Sequence, residues 1–356
     1  MSTETEALMR SIIGRIATGP EMSKDISEEE AHAGMTAVLD QQVGDVQAAL
    51  FLIALRMKRE TEDENRGVFK ALMDDTAREA VAVDELLTLS DPFNGFDRGL
   101  PMSPFLPAVL SACGMPCLST GVETVAPKFG LTHHRILDAA GKSVALTPAQ
   151  AARQIEDGDA GWAYLDQSVT SPRLYRLREL RGLMVKRSAL STCEVMLNPL
   201  SARRRNVAYV GYVHTNYPPI YALLADLAGY DRAIIVKGVE GGVVPSLQAS
   251  SKLFGAEGGK AGDPISLKPE VAGIRDAEAR AVPAPFDDPV RNASHAVELG
   301  LAALNGEPGL ARESLVYGAA IALYAADCED SIESGARTAR RVLDSGEALA
   351  RFESAA

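Results

Sequence analysis

Between residues 105 and 237 the chain alternates short apolar segments with helix-length stretches, and this alternation limits the fold more than any other feature. The short segments are Cys117-Leu-Ser, Ala163-Tyr-Leu, Ala208-Tyr-Val-Gly-Tyr-Val213 and Ala233-Ile-Ile-Val-Lys237. Between and around them run helical patterns over Phe105 to Cys113, Thr132 to Ala140, Thr147 to Glu156 and Pro218 to Leu227. Strands separated by helices pair in parallel, because a parallel partner needs a crossover, and the crossover helices cover both sheet faces.

The first 80 residues carry no such alternation and read as helix throughout. Ser27 stands three residues before Glu30 at a helix entry, a capping-box pattern, and Val46 to Arg56 is a run of helix formers with one broad apolar face. The fold class is therefore α/β: a small helical-bundle domain over residues 1–80 and a large α/β domain with a central, mainly parallel sheet over 81–356. The helices from about 168 to 190 are expected to pack on the small domain. From Glu313 to Phe352 the pattern returns to helix, with Asp344-Ser-Gly346 as a stop between two helices. Gly255 to Pro264 reads as a Gly-rich loop. A chain of 356 residues is long enough for two such lobes.

The longest apolar runs, Ala48 to Leu55 and Tyr317 to Ala326, are far shorter than a bilayer span, and the N-terminus lacks the basic start of a secretory signal. The expectation is a soluble, cytoplasmic protein with no membrane partner. Cys113, Cys117, Cys193 and Cys328 have no histidine at ligand spacing and are expected to be buried thiols, with no metal site among them.

A formal charge of −12 opposes nucleic acid as the main partner, because backbone binding rests on Lys and Arg. Its distribution points the other way locally. From Arg173 to Arg205 nine basic residues face only Glu179 and Glu194. That segment reads either as an anion-facing patch, which leaves nucleic acid open as a partner, or as a solvated helix face.

Several blocks resemble one family. Ile26-Ser-Glu-Glu-Glu-Ala and Ala49-Leu-Phe-Leu-Ile-Ala-Leu-Arg-Met-Lys58, followed by Glu60-Thr-Glu-Asp-Glu64, look like the helical domain of anthranilate phosphoribosyltransferases. Gly318-Ala-Ala-Ile-Ala-Leu-Tyr324 and Thr338 to Gly346 are similar to that family's closing helices, so the likeness spans roughly residues 5 to 350. The resemblance implies a helical lobe, an α/β lobe, a substrate cleft between them, and a homodimer joined through the helical lobes.

The resemblance also says where to look for a site, and there the chain departs from the family. In place of the glycine-rich G-T-G-G-D loop, whose backbone N–H groups approach pyrophosphate, stands Asn94-Gly95-Phe96-Asp97-Arg98-Gly99, with Ser103 near the next helix start. Its two readings are a phosphate grip and a plain turn shaped by Pro92 and Gly95. In place of K-H-G-N-R and V-S-S-K-S-G stands Ser119 to Gly130, which keeps Gly121, Lys128 and Gly130 but has Val122, Glu123 and Ala126-Pro127 where an asparagine, an arginine and two serines belong. His133 and His134 read as capping or packing residues ahead of catalytic ones. Arg181, six residues before Arg187 and followed by Asn198-Pro199, matches the spacing of an arginine that contacts a substrate carboxylate. The second Mg²⁺ site, an Asp-Glu pair in H-G-x-D-G-x-D-E, corresponds to Val243-Val244 in Lys237-Gly-Val-Glu240-Gly-Gly-Val-Val244.

The candidate ligand residues are thus Asn94, Gly95, Arg98, Ser103, Gly121, Lys128 and Arg181, with no assigned catalytic residue, no metal ligand and no cofactor. Mg²⁺, the family's usual ion, lacks its carboxylate pair. The expected function is phosphoribosyltransferase-like pentosyl transfer with a cleft altered for another small anion, phosphorylated or carboxylated. The alternative is a non-catalytic member that binds nucleic acid or a phosphometabolite.

Overall fold

The computed structural model describes residues 3–19 and 21–356. Its large lobe is built on five parallel strands, in the spatial order Trp162–Asp166, Cys117–Gly121, Glu85–Ser90, Arg205–Tyr212 and Arg232–Lys237. Ser251–Glu257 extends the sheet antiparallel to the last of these and pairs in turn with Lys260–Ala261 and Ile265–Leu267. The segment from Gly255 to Pro264, read from sequence as a loop, therefore contains the tip of a hairpin. Only Gly258 and Gly259 form its turn, at φ 53° and 74°, the left-handed pair that a two-residue hairpin connection requires.

Period-2 alternation sends each strand's side chains to two different cores. Leu87, Leu89, Val207, Tyr209, Ile234 and Val236 face helices Leu106–Ala112, Pro289–Leu304 and Leu310–Ala325. Ala208, Val210, Tyr212, Ala233 and Ile235 face the other way, onto Tyr217–Ala228 and the small lobe.

The small lobe draws on two stretches of chain. Helices Thr3–Ile16, Glu28–Leu39, Asp45–Lys58 and Glu62–Asp75 supply Met9, Met35, Phe51 and Phe69. The short helices between Gln167 and Cys193 add Leu174, Leu180, Leu190 and Cys193 to the same core. Ser27 with Glu30 forms a reciprocal capping box at a helix start, and Thr61 with Glu64 forms a second. No described helix is long and apolar enough to cross a membrane. All four cysteines are free thiols, and burial pushes those of Cys117 and Cys193 well up. Cys328, expected to be buried, is instead exposed, because it lies past the end of Leu310–Ala325 in the turn before the next helix.

Candidate functional site

The five parallel strands end on one edge of the sheet, the edge at which open α/β sheets place their ligands. Three of the loops leaving it close on one another. Residues 91–99 pair with residues 129–131: Gly130 donates to the Asn94 carbonyl at 2.9 Å, and Phe96 and Leu131 exchange N–H···O bonds at 3.0 and 2.9 Å. Gly95 sits at φ 77° with its α-carbon so close to Gly130 that a β-carbon would lie 2.6 Å from the Gly130 carbonyl carbon. The Phe96 ring lies against Gly242, where a β-carbon would come within 2.6 Å of it. Phe96 thus takes up space beside the third loop, residues 238–243.

Within this arrangement the Glu240 carboxylate reaches back to the first loop. It accepts the backbone N–H of Arg98 at 2.8 Å, the N–H of Asp97 at 3.1 Å, and Lys128 Nζ at 2.7 Å. Burial alone would raise its pKa, but Lys128 and the two N–H groups outweigh burial and lower it. Glu240 adopts a left-handed backbone, φ 54°, a conformation that costs a residue with a β-carbon about 1 kcal/mol. Two consecutive N–H groups and a lysine make an anion nest, and the chain fills it with its own carboxylate.

Beneath the nest lies a fully internal polar cluster. Asp91 accepts the Val243 N–H at 2.8 Å through one oxygen, and its other oxygen takes Ser103 Oγ and His133 Nε2, the latter at 2.9 Å. His133 Nδ1 meets Ser119 Oγ at 2.8 Å. All four side chains are buried, so the cluster ties three loops to the sheet and presents no free hydroxyl. His134 bonds Asp166 at 2.7 Å; burial raises that carboxyl's pKa, but His134 and Ser168 together bring it below its usual value.

Toward the small lobe the edge opens into a solvent-exposed cleft lined by Arg56, Asn94, Arg187, His214, Tyr217 and Tyr221 among others. With its amide oxygen turned to Arg187, Asn94 accepts from Nε at 2.9 Å and Nη2 at 3.2 Å. Tyr217 and Tyr221 form a wall, their ring centres 5.9 Å apart.

The residues singled out from sequence divide accordingly. Asn94, Gly95, Arg98 and Lys128 come together around the nest. Ser103 is buried and committed to Asp91, and Gly121 lies buried under the Tyr164 hydroxyl. Arg181 is not turned to the cleft as a free fork. Its Nη1 and Nη2 hold both oxygens of Glu194, at 2.6 and 2.7 Å, with the guanidinium 4% exposed. The guanidinium that does face the cleft is Arg187, which sequence spacing treated only as a marker. Arg56, His214 and the role of Glu240 were missed, because what brings them to the cleft is contact with residues distant in sequence: Glu240 bonds Asp97, Arg98 and Lys128 more than a hundred residues away.

The basic segment from 173 to 205 does not form one face. Arg173 is held by Asp40 and Asp75, Arg181 by Glu194, Arg204 by Asp84 and Arg205 by Asp327. Arg203 and Arg204 lead into a strand that starts at Arg205 and whose other end, Tyr212, meets the cleft, about 23 Å along the strand at ~3.3 Å per residue. The donor set does not fit the family's second Mg²⁺ site. Val243 and Val244 offer no side-chain oxygen, and Glu240, the carboxylate left in that loop, is committed to Lys128 and two N–H groups.

The architecture is thus a helical lobe joined to a mainly parallel α/β lobe, with a cleft between them at the strand ends, and comparison with known proteins finds the same two parts. Residues 10–76 match the helical bundle domain of a glycosyl transferase family, and residues 98–349 match that family's α/β domain. The chain belongs to this family. Anthranilate phosphoribosyltransferase of Cupriavidus necator is 27% identical over 99% of this chain and 97% of its own. A protein of Aquifex aeolicus described as uncharacterized is 30% identical over 62% of this chain and 65% of its own length. Among solved structures, anthranilate phosphoribosyltransferase from Thermus thermophilus superposes with a TM-score of 0.80 at 23% identity, covering 97% of each chain. The Saccharomyces cerevisiae enzyme, in complex with PRPP and Mg, superposes at 0.77 with 15% identity over 98% of this chain and 97% of its own. At these identities the two structures establish the fold.

Proposed function

We propose that this protein binds a small carboxylated or phosphorylated ligand in the cleft between its lobes. On this reading it carries out pentosyl transfer only with a donor that needs no Mg²⁺ clamp. The observation that carries the proposal is the pairing of Arg187 with Asn94 on an open cleft walled by Tyr217 and Tyr221 and flanked by Arg56. Planar guanidinium groups suit carboxylate and phosphate, and tyrosines supply a flat apolar surface. Pentosyl transfer of this kind depends on positioning and charge placement more than on a general base, so a cleft without an obvious base is compatible with it.

Thermal shift with 5-phosphoribosyl 1-pyrophosphate, with and without Mg²⁺, tests the donor. No Mg²⁺-dependent stabilisation is expected, and a clear one would overturn the reading. Ligands found by the same screen with small aromatic and aliphatic acids should lose binding at least tenfold in Arg187→Ala, a cost of ~1.5–3 kcal/mol for a charge-assisted contact.

The proposal extends to assembly and compartment. Val46, Leu50 and Met57 are exposed on one face of Asp45–Lys58, at the four-and-three spacing that Ile53 completes, with exposed Leu183 on the helix beside it and exposed Val185 just past that helix's end. This stripe supports a homodimer formed through the helical lobes. Four unpaired thiols suit the reducing cytoplasm.

A further inference from the structure

The cleft has two ends of opposite character. At one end Arg187 borders open space and is available to an anion, while Arg56 beside it is paired with Glu60 at 3.2 Å. At the other, the N–H groups of Asp97 and Arg98 and the ammonium of Lys128 form a ready anion seat that is already taken by Glu240. Glu240 itself lines the same cleft as Arg187 and Asn94.

Three features mark this occupation as built into the fold. Glu240 holds a left-handed backbone that a glycine would adopt without strain, and two glycines, 241 and 242, follow it directly. Both of its oxygens are used, one by Arg98 and the other by Asp97 and Lys128, so that three of the carboxylate's roughly four acceptor sites are spent on the nest itself. The side chain is 7% exposed, and Asp97, whose carboxylate lies 3.9 Å from Lys128, adds negative charge on the open side. An incoming phosphate would have to displace a carboxylate already desolvated and paired, and would meet Asp97 as it did so.

We propose that Glu240 is a specificity-determining residue that shuts phosphate and pyrophosphate out of this nest, so that the ligand held by Arg187 presents an uncharged group at the Glu240 end. The inference rests on the cleft reading given above, but its test does not depend on activity or on the identity of the ligand. Removing the carboxylate should turn the nest into an anion site.

The experiment titrates inorganic pyrophosphate, without metal, into the full-length protein and its variants by calorimetry. Wild type should show at most the binding that Arg187→Ala removes, so every variant is compared in the Arg187→Ala background, where the parent should bind nothing up to millimolar pyrophosphate. Glu240→Gly, which suits the left-handed backbone, should bind at least tenfold more tightly, with an affinity that falls as salt is raised. Adding Lys128→Met to Glu240→Gly should abolish the gain. Glu240→Gln keeps an oxygen on the two N–H groups but removes the charge, and should gain less than Glu240→Gly but bind measurably more than the parent. It decides the matter alone if Glu240→Gly does not fold.

The Arg187→Ala parent binding pyrophosphate as tightly as the variants would overturn the proposal, since Glu240 would then be a displaceable latch. It is equally overturned if folded variants gain nothing, or if the gain survives Lys128→Met. Folded Glu240 variants that gain nothing would leave the Arg187 cleft untouched, whereas a cleft that binds no small acid would leave the pyrophosphate result standing.

Discussion

Replacing Arg181 by alanine separates two accounts of this residue. If Arg181 were a ligand fork, R181A would weaken anion binding and leave the fold intact. In the structure it instead neutralises Glu194, with two bonds of 2.6 and 2.7 Å between side chains that are 4% and 1% exposed. After R181A, Glu194 would keep Gln167 Nε2, at 3.1 Å, as its remaining strong partner. Breaking a buried pair from one side costs about 3–5 kcal/mol, because a charge is left without compensation. Unfolding entropy of about 2.1 cal/mol/K per residue, taken over 356 residues, converts this to a fall in Tm of about 4–7 °C if the chain unfolds as one unit. Differential scanning calorimetry measures it directly. R181M/E194Q removes both charges, retains an acceptor for Gln167, and should recover most of the loss. R181A melting within about 1 °C of wild type would refute the reasoning, and so would a double variant as unstable as the single one.

Glu240 has a lowered pKa in the fold, so its contribution to stability is present above the unfolded value, ~4.3, and is lost as pH falls through the folded one. The Tm gap between wild type and Glu240→Gln should therefore be widest near pH 7 and close below about pH 4; an equal gap at pH 7 and pH 3 would contradict the Lys128 pairing. Gly95→Ala places a β-carbon 2.6 Å from backbone at a positive φ, and should lower stability by about 2–4 kcal/mol in urea titration; a loss under about 0.5 kcal/mol would mean that the two loops can part freely. The proposed homodimer through the exposed helical stripe predicts that wild type runs at dimer mass by light scattering and that Leu50→Glu shifts it to monomer mass without lowering helix content; a monomeric wild type, or a mass unchanged by the substitution, would refute it.

What could be read from the sequence, and what could not, follows from how far apart the interacting residues lie along the chain. The alternation of strands and helices was legible because burial on both sheet faces is written locally, in runs such as Ala233-Ile-Ile-Val. The middle strand, Glu85–Ser90, was not marked as a strand in that pattern, although it pairs on both sides. Its three leucines carry no β-branched signal, and leucine is an equally good helix former, so only its neighbours make it a strand. The capping box at Ser27 was readable for the same local reason that the sheet was, since both partners lie within one turn.

The site behaves differently because its bonds join residues far apart in sequence. Glu240 reaches Arg98 across 142 positions and Asp97 across 143. A motif comparison could register that Val243 and Val244 carry no carboxylate, but not that Glu240 fills the seat left behind. The two arginines show the same limit at short range. Arg181 lies within the helix Arg178–Met184 and finds Glu194 thirteen residues on, while Arg187 follows the left-handed turn at Val185 and is carried to the cleft. Spacing places both near the site and cannot say which one is spent on the fold. That distinction matters for function, because a guanidinium paired with a buried carboxylate has no fork to offer a ligand, and one bonded to a neutral amide keeps its charge. The anion-binding capacity of this cleft therefore rests on Arg187, since Arg56 beside it is paired with Glu60, and that of the loop beside it is withheld by Glu240.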